Sequence, residues 1–215
     1  MTRGDDVIDE LELRVDGSRP FDAETVAAAA AVCDRAEDHG GPGVVLVHVS
    51  GTPEPGWTGA LDLPTVNRWE RVLRRLERLP MTTVAVAAGD CGGAALDALL
   101  VTDRRLARPG TRLLVPSDGA ATWPGLAVFR LVNQAGAGRV RGAVLFGAPI
   151  TADEAARIGL VDEVTDDPAV VLTELAARDG GFSGPELSIR RQLMFDAVTT
   201  SYEDALGAHL AACDR

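Results

Sequence analysis

A short apolar run that continues through a glycine-rich turn into a helix is the feature that most constrains the fold. Residues 82–88 are typical of a buried strand, Gly89-Asp90-Cys91-Gly92-Gly93 of a tight turn, and residues 94–101 of a helix. Because Gly92 and Gly93 have no side chains, a ligand carbonyl can approach the backbone N–H groups at the helix N-terminus. The turn therefore predicts an anion or oxyanion site. Close packing of a helix on a sheet is the structural alternative for so short a glycine motif.

Strand and helix patterns alternate through the first half of the chain. Residues 10–15 alternate polar and apolar side chains, residues 23–38 fit a helix capped by Asp22, and residues 44–49 form a β-branched run. Alternation at this spacing predicts a parallel sheet with crossover helices, and hence an α/β fold. The glycine turn follows the third predicted strand and lacks the Gly-x-Gly-x-x-Gly spacing, which argues against a dinucleotide site.

The second half of the chain is more helical. Thr151 and Glu154 fit a capping box, in which the hydroxyl and the carboxylate each accept a hydrogen bond from a backbone N–H. Residues 185–212 have the pattern of one amphipathic helix. We see no internal repeat and no linker, so a single functional domain is expected.

The composition excludes several classes of protein. The 215 residues include no lysine, which rules out a Schiff-base mechanism, and the net charge of −11 argues against nucleic-acid binding. The three cysteines and three histidines lack the spacing of a disulfide framework or a metal site. The acidic N-terminus differs from a signal peptide, and no apolar stretch is long enough to span a membrane. We expect a cytoplasmic protein without metal, membrane or nucleic-acid binding.

Three segments of the chain resemble the crotonase (enoyl-CoA hydratase/isomerase) superfamily. The family pattern P-x-I-A-A-V-N-G-x-x-x-G-G-G-x-E-L-A-x-A-C-D-x-R-I-A parallels residues 80–107. The family's I-P-G corresponds to Trp123-Pro124-Gly125, and its L-T-G-x-x-I-x-A-x-E-A-x-x-x-G-L-V corresponds to residues 145–161. The resemblance implies a crotonase-like spiral of ββα turns, with a CoA thioester as the substrate and no cofactor.

The resemblance also implies an oxyanion hole made of two backbone N–H groups. The second donor falls on Ala94, directly after Gly93, at the middle position of the family's glycine triplet. The first donor falls on Leu61 when the family's F-S-A-G-A-D-L segment is aligned on the aspartate. Alignment on the glycine places it on Ala60 instead. Both alignments stay open, with a slight preference for Leu61.

The acid/base residues of this chain differ from the two glutamates of family hydratases. Asp97 stands at the first glutamate position, where its shorter side chain can serve as acid and base or merely interact with the helix dipole. Ser117 stands at the second position and cannot hold a proton near neutral pH. Asp118 is adjacent and would substitute only after a loop shift, since a loop acid before a glycine is its simpler interpretation.

Three further residues are assigned to substrate binding by the resemblance. Arg19 falls near the segment that approaches the CoA adenine and phosphates, and Trp57 and Trp123 fall at the wall of the acyl pocket or in the core. The family usually assembles as trimers or dimers of trimers, so a homotrimer or hexamer is expected. Residues 1–165 would form the spiral core and residues 166–215 a helical packing or trimerisation region that lacks the usual final helix.

The segments G-D-C-G-G-A-A-L-D and W-P-G-L-A-V-F-R-L narrow the resemblance to small crotonase-like proteins of the dihydroxyphenylglycine pathway. This implies a hydratase or dehydratase that assists a type III polyketide synthase in forming 3,5-dihydroxyphenylacetyl-CoA for glycopeptide antibiotic biosynthesis. The synthase and a sister crotonase-like protein would be partners. Two alternatives stay open: a non-catalytic partner, favoured by Ser117 and a helix with solvent-facing arginines, and an isomerase that needs one carboxylate.

Overall fold

The predicted α/β fold is confirmed in a computed structural model that describes residues 11–39, 43–59, 61–178, 184–198 and 200–213. In this part of the chain, seven strands form one mixed sheet and two more form a hairpin. The strands are β1 (Glu12–Asp16), β2 (Val44–Gly51), β3 (Thr82–Gly92), β4 (Arg104–Ala107), β5 (Arg112–Leu114), β6 (Ser117–Asp118), β7 (Ala121–Thr122), β8 (Ile150–Thr151) and β9 (Glu163–Val164).

The helices connect the strands and extend the chain beyond the sheet. They are α1 (Ala23–His39), α2 (Leu63–Leu76), α3 (Ala94–Leu100), α4 (Ala127–Ala135), α5 (Ala137–Phe146), α6 (Ala152–Arg157), α7 (Pro168–Arg178), α8 (Pro185–Asp196) and α9 (Tyr202–Cys213). A 3₁₀ turn covers Trp57–Gly59. No helix within the described residues is long and apolar enough to cross a membrane.

Strand β3 organises the sheet because it pairs with three other strands. It runs parallel to β2 along most of its length, to β4 over its first half (84–87), and to β5 over its last residues (90–92). Strand β1 lies parallel to β2 on the other side, and β8 adds the antiparallel pair with β5. The carboxyl ends of β1, β2 and β3 therefore meet at one edge, and β3 extends to Gly92, so most of the predicted turn at residues 89–93 is strand.

Both faces of β3 are covered by apolar side chains. On one face, Trp69, Leu73 and Leu76 of α2 are at most 1% exposed and join the main core. Val84 and Val86 point to the other face, as strand alternation requires, and lie in a smaller cluster that includes residues of α7. Burial of one such aliphatic side chain contributes about 1.5 to 3 kcal/mol, so β3 is the most strongly held strand.

The predicted helix starts are confirmed, and the helical pattern over residues 185–212 is divided between two helices. Asp22 accepts hydrogen bonds from the first turn of α1, and the Thr151 hydroxyl accepts one from the Glu154 N–H. Helix α8 ends at Asp196, and the Ser201 hydroxyl then accepts a hydrogen bond from the Asp204 N–H at the start of α9. The apolar pattern has the same period in both helices, and the new N-cap at Ser201 separates them.

Arg191 fixes helix α8 to the sheet. It is 5% exposed, and its guanidinium donates to both carboxylate oxygens of Asp103 at 2.7 and 2.6 Å. The same group donates to the backbone carbonyls of Glu77, Leu79 and Met81. Since Asp103 also accepts hydrogen bonds from Thr83 at the start of β3, the helix is tied to the central strand.

We expect Arg191→Ala to lower the free energy of unfolding by about 3 to 5 kcal/mol, because it leaves a partly buried carboxylate and three carbonyls without their donor. The control is Arg157→Ala, which removes an exposed pair with Glu154 on α6 and should cost less than about 1 kcal/mol. Urea unfolding of the three proteins measures both values. Equal losses in the two variants would contradict this role of Arg191.

Candidate active site

A cavity of about 220 Å³ lies where the carboxyl ends of β1, β2 and β3 meet. Its walls come from residues 17–21 after β1, residues 53–57 after β2, and the start of α3. In open α/β sheets, ligands bind in crevices outside the carboxyl ends of the strands. The cavity brings together five residues singled out in the sequence: Arg19, Trp57, Leu61, Ala94 and Trp123.

Gly93 sets the geometry of the predicted oxyanion turn. It has φ +55° and ψ −130°, a conformation that other L-residues rarely adopt, and its carbonyl accepts the Asp97 N–H at 3.0 Å. A methyl group on Gly93 would also lie 3.0 Å from Cδ of Pro53. Ala94 occupies the first helical position, where the backbone N–H has no acceptor within the helix. The cavity therefore meets an N–H group that the helix does not use.

Leu61 lies in a segment that is fixed at both ends. Asp62 caps helix α2 by accepting the Thr65 N–H at 2.8 Å. On the other side, the Thr58 hydroxyl donates to Oδ2 of Asp118 at 2.7 Å. Leu61 lines the same cavity as Ala94. Ala60, the alternative donor, lies outside the described residues.

Asp118 and Ser117 belong to the β6–β7 hairpin and do not line the cavity. Hydrogen bonds from the Thr58 side chain and backbone lower the pKa of Asp118, so this carboxylate stays ionised. In this structure it holds the 3₁₀ turn in place. Ser117 is exposed and pairs with Thr122. A catalytic role for either residue stays a prediction that this geometry does not favour.

The carboxyl group of Asp97 is completely buried (0% exposed) behind Trp123. Nε1 of Trp123 donates to Oδ2 of Asp97 at 2.7 Å. Gly125 lies so close that a methyl group there would overlap the same oxygen. Because Trp123 lines the cavity and Asp97 does not, the indole ring separates the carboxyl group from the cavity. The catalytic role of Asp97 stays a prediction, and it requires movement of Trp123.

A buried charge cluster surrounds Asp97. Arg130, only 7% exposed, lies 2.8 Å from Glu70, 3.3 Å from Glu77 and 3.9 Å from Asp97. Burial raises the pKa of Asp97 to about 7, and the charge of Glu70 adds to the rise, whereas the Trp123 N–H and Arg130 oppose it. Sequence spacing did not reveal this cluster, because its members come from three separate helices.

Aromatic rings form one wall of the cavity. The ring centroids of Trp57 and Trp123 are 5.4 Å apart, and those of Phe21 and Trp123 are 5.6 Å apart, both in edge-to-face geometry. Phe21 also contacts Trp69 behind the wall at 5.7 Å. Rings held edge to face stabilise one another, so the wall is preformed.

Glu54 is a cavity residue that the sequence patterns did not single out. Among the described residues that line the cavity, Glu54 and Arg19 are the ionisable side chains. Arg19 supplies the positive charge that phosphate groups of a ligand require. No cluster of His, Cys, Asp and Glu side chains in the described ranges could hold a metal ion. The sequence signal that could have identified Glu54 is its position just after β2, at the carboxyl edge of the sheet.

We expect Asp97→Asn to alter the pH dependence of stability. Between about pH 4 and pH 7 the folded protein keeps a proton on Asp97 that the unfolded chain has lost, so wild-type stability falls as the pH rises through this window. Asparagine still accepts the Trp123 hydrogen bond and does not titrate. When the pH is raised from about 5.5 to about 8.5, the free energy of unfolding of the variant should increase by about 2 kcal/mol relative to that of wild type.

Urea unfolding at the two pH values checks this shift. Asp153→Asn, at an exposed position in the first turn of α6, is the control and should show no relative change. A difference between Asp97→Asn and wild type that is constant with pH would contradict the buried, protonated state of Asp97.

Comparison with known proteins places this geometry in a family. The sequence profile of the enoyl-CoA hydratase/isomerase family matches residues 62–212. An enoyl-CoA hydratase of Amycolatopsis orientalis is 53% identical over 206 residues, which cover 96% of this chain and 95% of that protein. An enoyl-CoA hydratase structure from Shewanella pealeana has a TM-score of 0.76 at 14% identity, over 95% of this chain and 83% of the other. A Pseudomonas aeruginosa structure has a TM-score of 0.74 at 21% identity, over 93% and 92% of the two chains. This chain therefore belongs to the enoyl-CoA hydratase/isomerase family.

Proposed function

We propose that this protein is a hydratase or dehydratase acting on a CoA-thioester polyketide intermediate. In that role it assists a type III polyketide synthase in forming 3,5-dihydroxyphenylacetyl-CoA for glycopeptide antibiotic biosynthesis. The observation that carries the enzymatic part of the proposal is the single cavity shared by Ala94, Leu61 and the aromatic wall. The narrower sequence resemblance supports the pathway.

In the proposed reaction, the backbone N–H groups of Ala94 and Leu61 bind the thioester oxygen. When a proton leaves C2 of the acyl group, negative charge moves to this oxygen and the two donors stabilise the enolate. Fixed donors of this kind act more strongly on the developing charge than on the neutral substrate, and one donor commonly contributes about 3 kcal/mol to the barrier reduction. Gly93 and the capped start of α2 keep both donors in place before substrate binds.

The aromatic wall supports a flat acyl group as the substrate. Phe21, Trp57 and Trp123 present ring faces and edges to the cavity, and a planar polyketide ring packs favourably against such surfaces. Arg19 lies exposed at the cavity and would bind phosphate groups of CoA. No further cofactor is required by this chemistry.

A non-catalytic partner is the second candidate function. It is favoured by the burial of Asp97 behind Trp123 and by the position of Ser117 outside the cavity. The arginines of α2 give this hypothesis less support than the sequence indicated. Arg75 binds Asp34 and Glu37 of α1, so one of these arginines pairs within the fold.

We expect Ala94→Pro to remove one oxyanion donor with little change of fold, since proline is well tolerated at the first helical position. Hydration of cinnamoyl-CoA, followed by ultraviolet absorbance, should fall about 100- to 1,000-fold in kcat. Ala137→Pro is the matched control, because Ala137 also starts a helix directly after a glycine of positive φ and lies outside the cavity. It should retain activity.

Two outcomes would contradict the enzymatic proposal. Equal activity of Ala94→Pro and wild type would remove the oxyanion hole from the reaction. An inactive wild type that still raises product formation by the synthase, with Ala94→Pro doing so equally well, would establish the non-catalytic partner instead.

We also propose that the chain forms a homotrimer or a dimer of trimers. Helices α4 and α5 expose Phe129 (59%) and Phe146 (81%), and large apolar side chains left exposed favour burial between subunits. Phe129→Asp should shift the protein from trimer or hexamer to monomer in sedimentation velocity. Leu63→Asp, on α2, is an exposed control expected to leave assembly unchanged. A monomeric wild type would contradict this assembly.

A further inference from the structure

We propose that Glu54 is the carboxylate that transfers the proton in this cavity, in place of the two family positions held here by Asp97 and Ser117. The inference rests on the proposed function, because it assigns a residue to the same thioester chemistry. It goes beyond sequence resemblance, which points only to the two family positions.

The loop that carries Glu54 is in direct contact with the oxyanion turn. Pro53 lies against Gly93, and Thr52 lies against Gly92 in the same way. Glu54 is therefore the residue directly after Pro53, which contacts the turn that presents the Ala94 N–H. Prolines on both sides of Glu54 restrict its backbone, and its side chain lines the cavity.

Other carboxylates near the cavity already have structural partners. Asp16 accepts hydrogen bonds from the backbone and hydroxyl of Ser18, and Asp62 caps α2. Asp118 holds Thr58, and Asp97 is bonded to Trp123 and has no exposed surface. A proton carrier must reach the reacting atom before its pKa matters. Among these carboxylates, Glu54 is the one that lines the cavity and is exposed, so a ligand bound in the cavity can contact it.

One carboxylate is sufficient for the dehydration. Glu54 takes the proton from C2 of the 3-hydroxyacyl thioester, and the electron pair of that C–H bond forms the enolate bound by Ala94 and Leu61. The enolate then returns its electrons to form the C2–C3 double bond, while the C3–O bond breaks. The departing hydroxyl takes the proton back from Glu54 and leaves as water. Hydration is the same sequence in reverse.

Kinetics of Glu54→Gln test the assignment. Two reactions are measured: hydration of cinnamoyl-CoA, and exchange of the C2 protons of 3-phenylpropionyl-CoA with deuterium oxide. We expect kcat to fall about 100- to 10,000-fold in both, with KM within about threefold of wild type, since glutamine keeps the size of the side chain and cannot carry a proton. Glu54→Asp should retain part of the activity, and its residual rate should still depend on a single carboxylate pKa.

The control separates Glu54 from general effects of charge. Glu203→Gln, at an exposed position of α9, should match wild type in both reactions. Full activity of Glu54→Gln beside an active wild type would overturn the role of Glu54 alone. A wild type with neither reaction would overturn the proposed function, and the role of Glu54 with it.

Discussion

The hydrogen bond from Trp123 to Asp97 links the cavity to the interior of the protein. Its donor ring forms part of the cavity wall, and its acceptor lies on the helix that begins with the oxyanion turn. The absence of a side chain at Gly125 makes room for this contact. Loss of the bond would leave a buried donor and a buried carboxyl group without partners, at a cost of about 1 to 3 kcal/mol for each.

The charge balance around this bond explains why Asp97 has a raised pKa. Arg130 is shared among Glu70, Glu77 and Asp97, and a single buried cation cannot neutralise three carboxylates. A proton on Asp97 relieves the excess negative charge at less cost than exposing the group to water. In this structure the residue at the family position of the first catalytic glutamate bonds to the cavity wall, which supports the proposal that Glu54 transfers the proton.

Local patterns predicted much of the fold, whereas contacts between distant segments decided the site. The strand and the helix on either side of Gly93 were predictable, because a β-branched run and a positive-φ glycine act over a few residues, whereas pairing with the distant strand β5 extends β3 through residues 90–92 of the predicted turn. Leu61 and Ala94 were found through resemblance, and the structure places both at one cavity. The burial of Asp97 depends on Trp123 and Arg130, which are remote in sequence. Glu54 belongs to no motif and is recognised only from the cavity that it lines.

The central claim is that the Ala94 and Leu61 N–H groups bind the thioester oxygen beneath the aromatic wall. The most direct measurement is the carbon-13 NMR signal of cinnamoyl-CoA labelled at the thioester carbonyl, free and bound to the protein. Two N–H donors at the oxygen draw electrons from the carbonyl carbon, so the account predicts a downfield shift of the bound signal. A bound ligand whose carbonyl signal keeps its free position would contradict it.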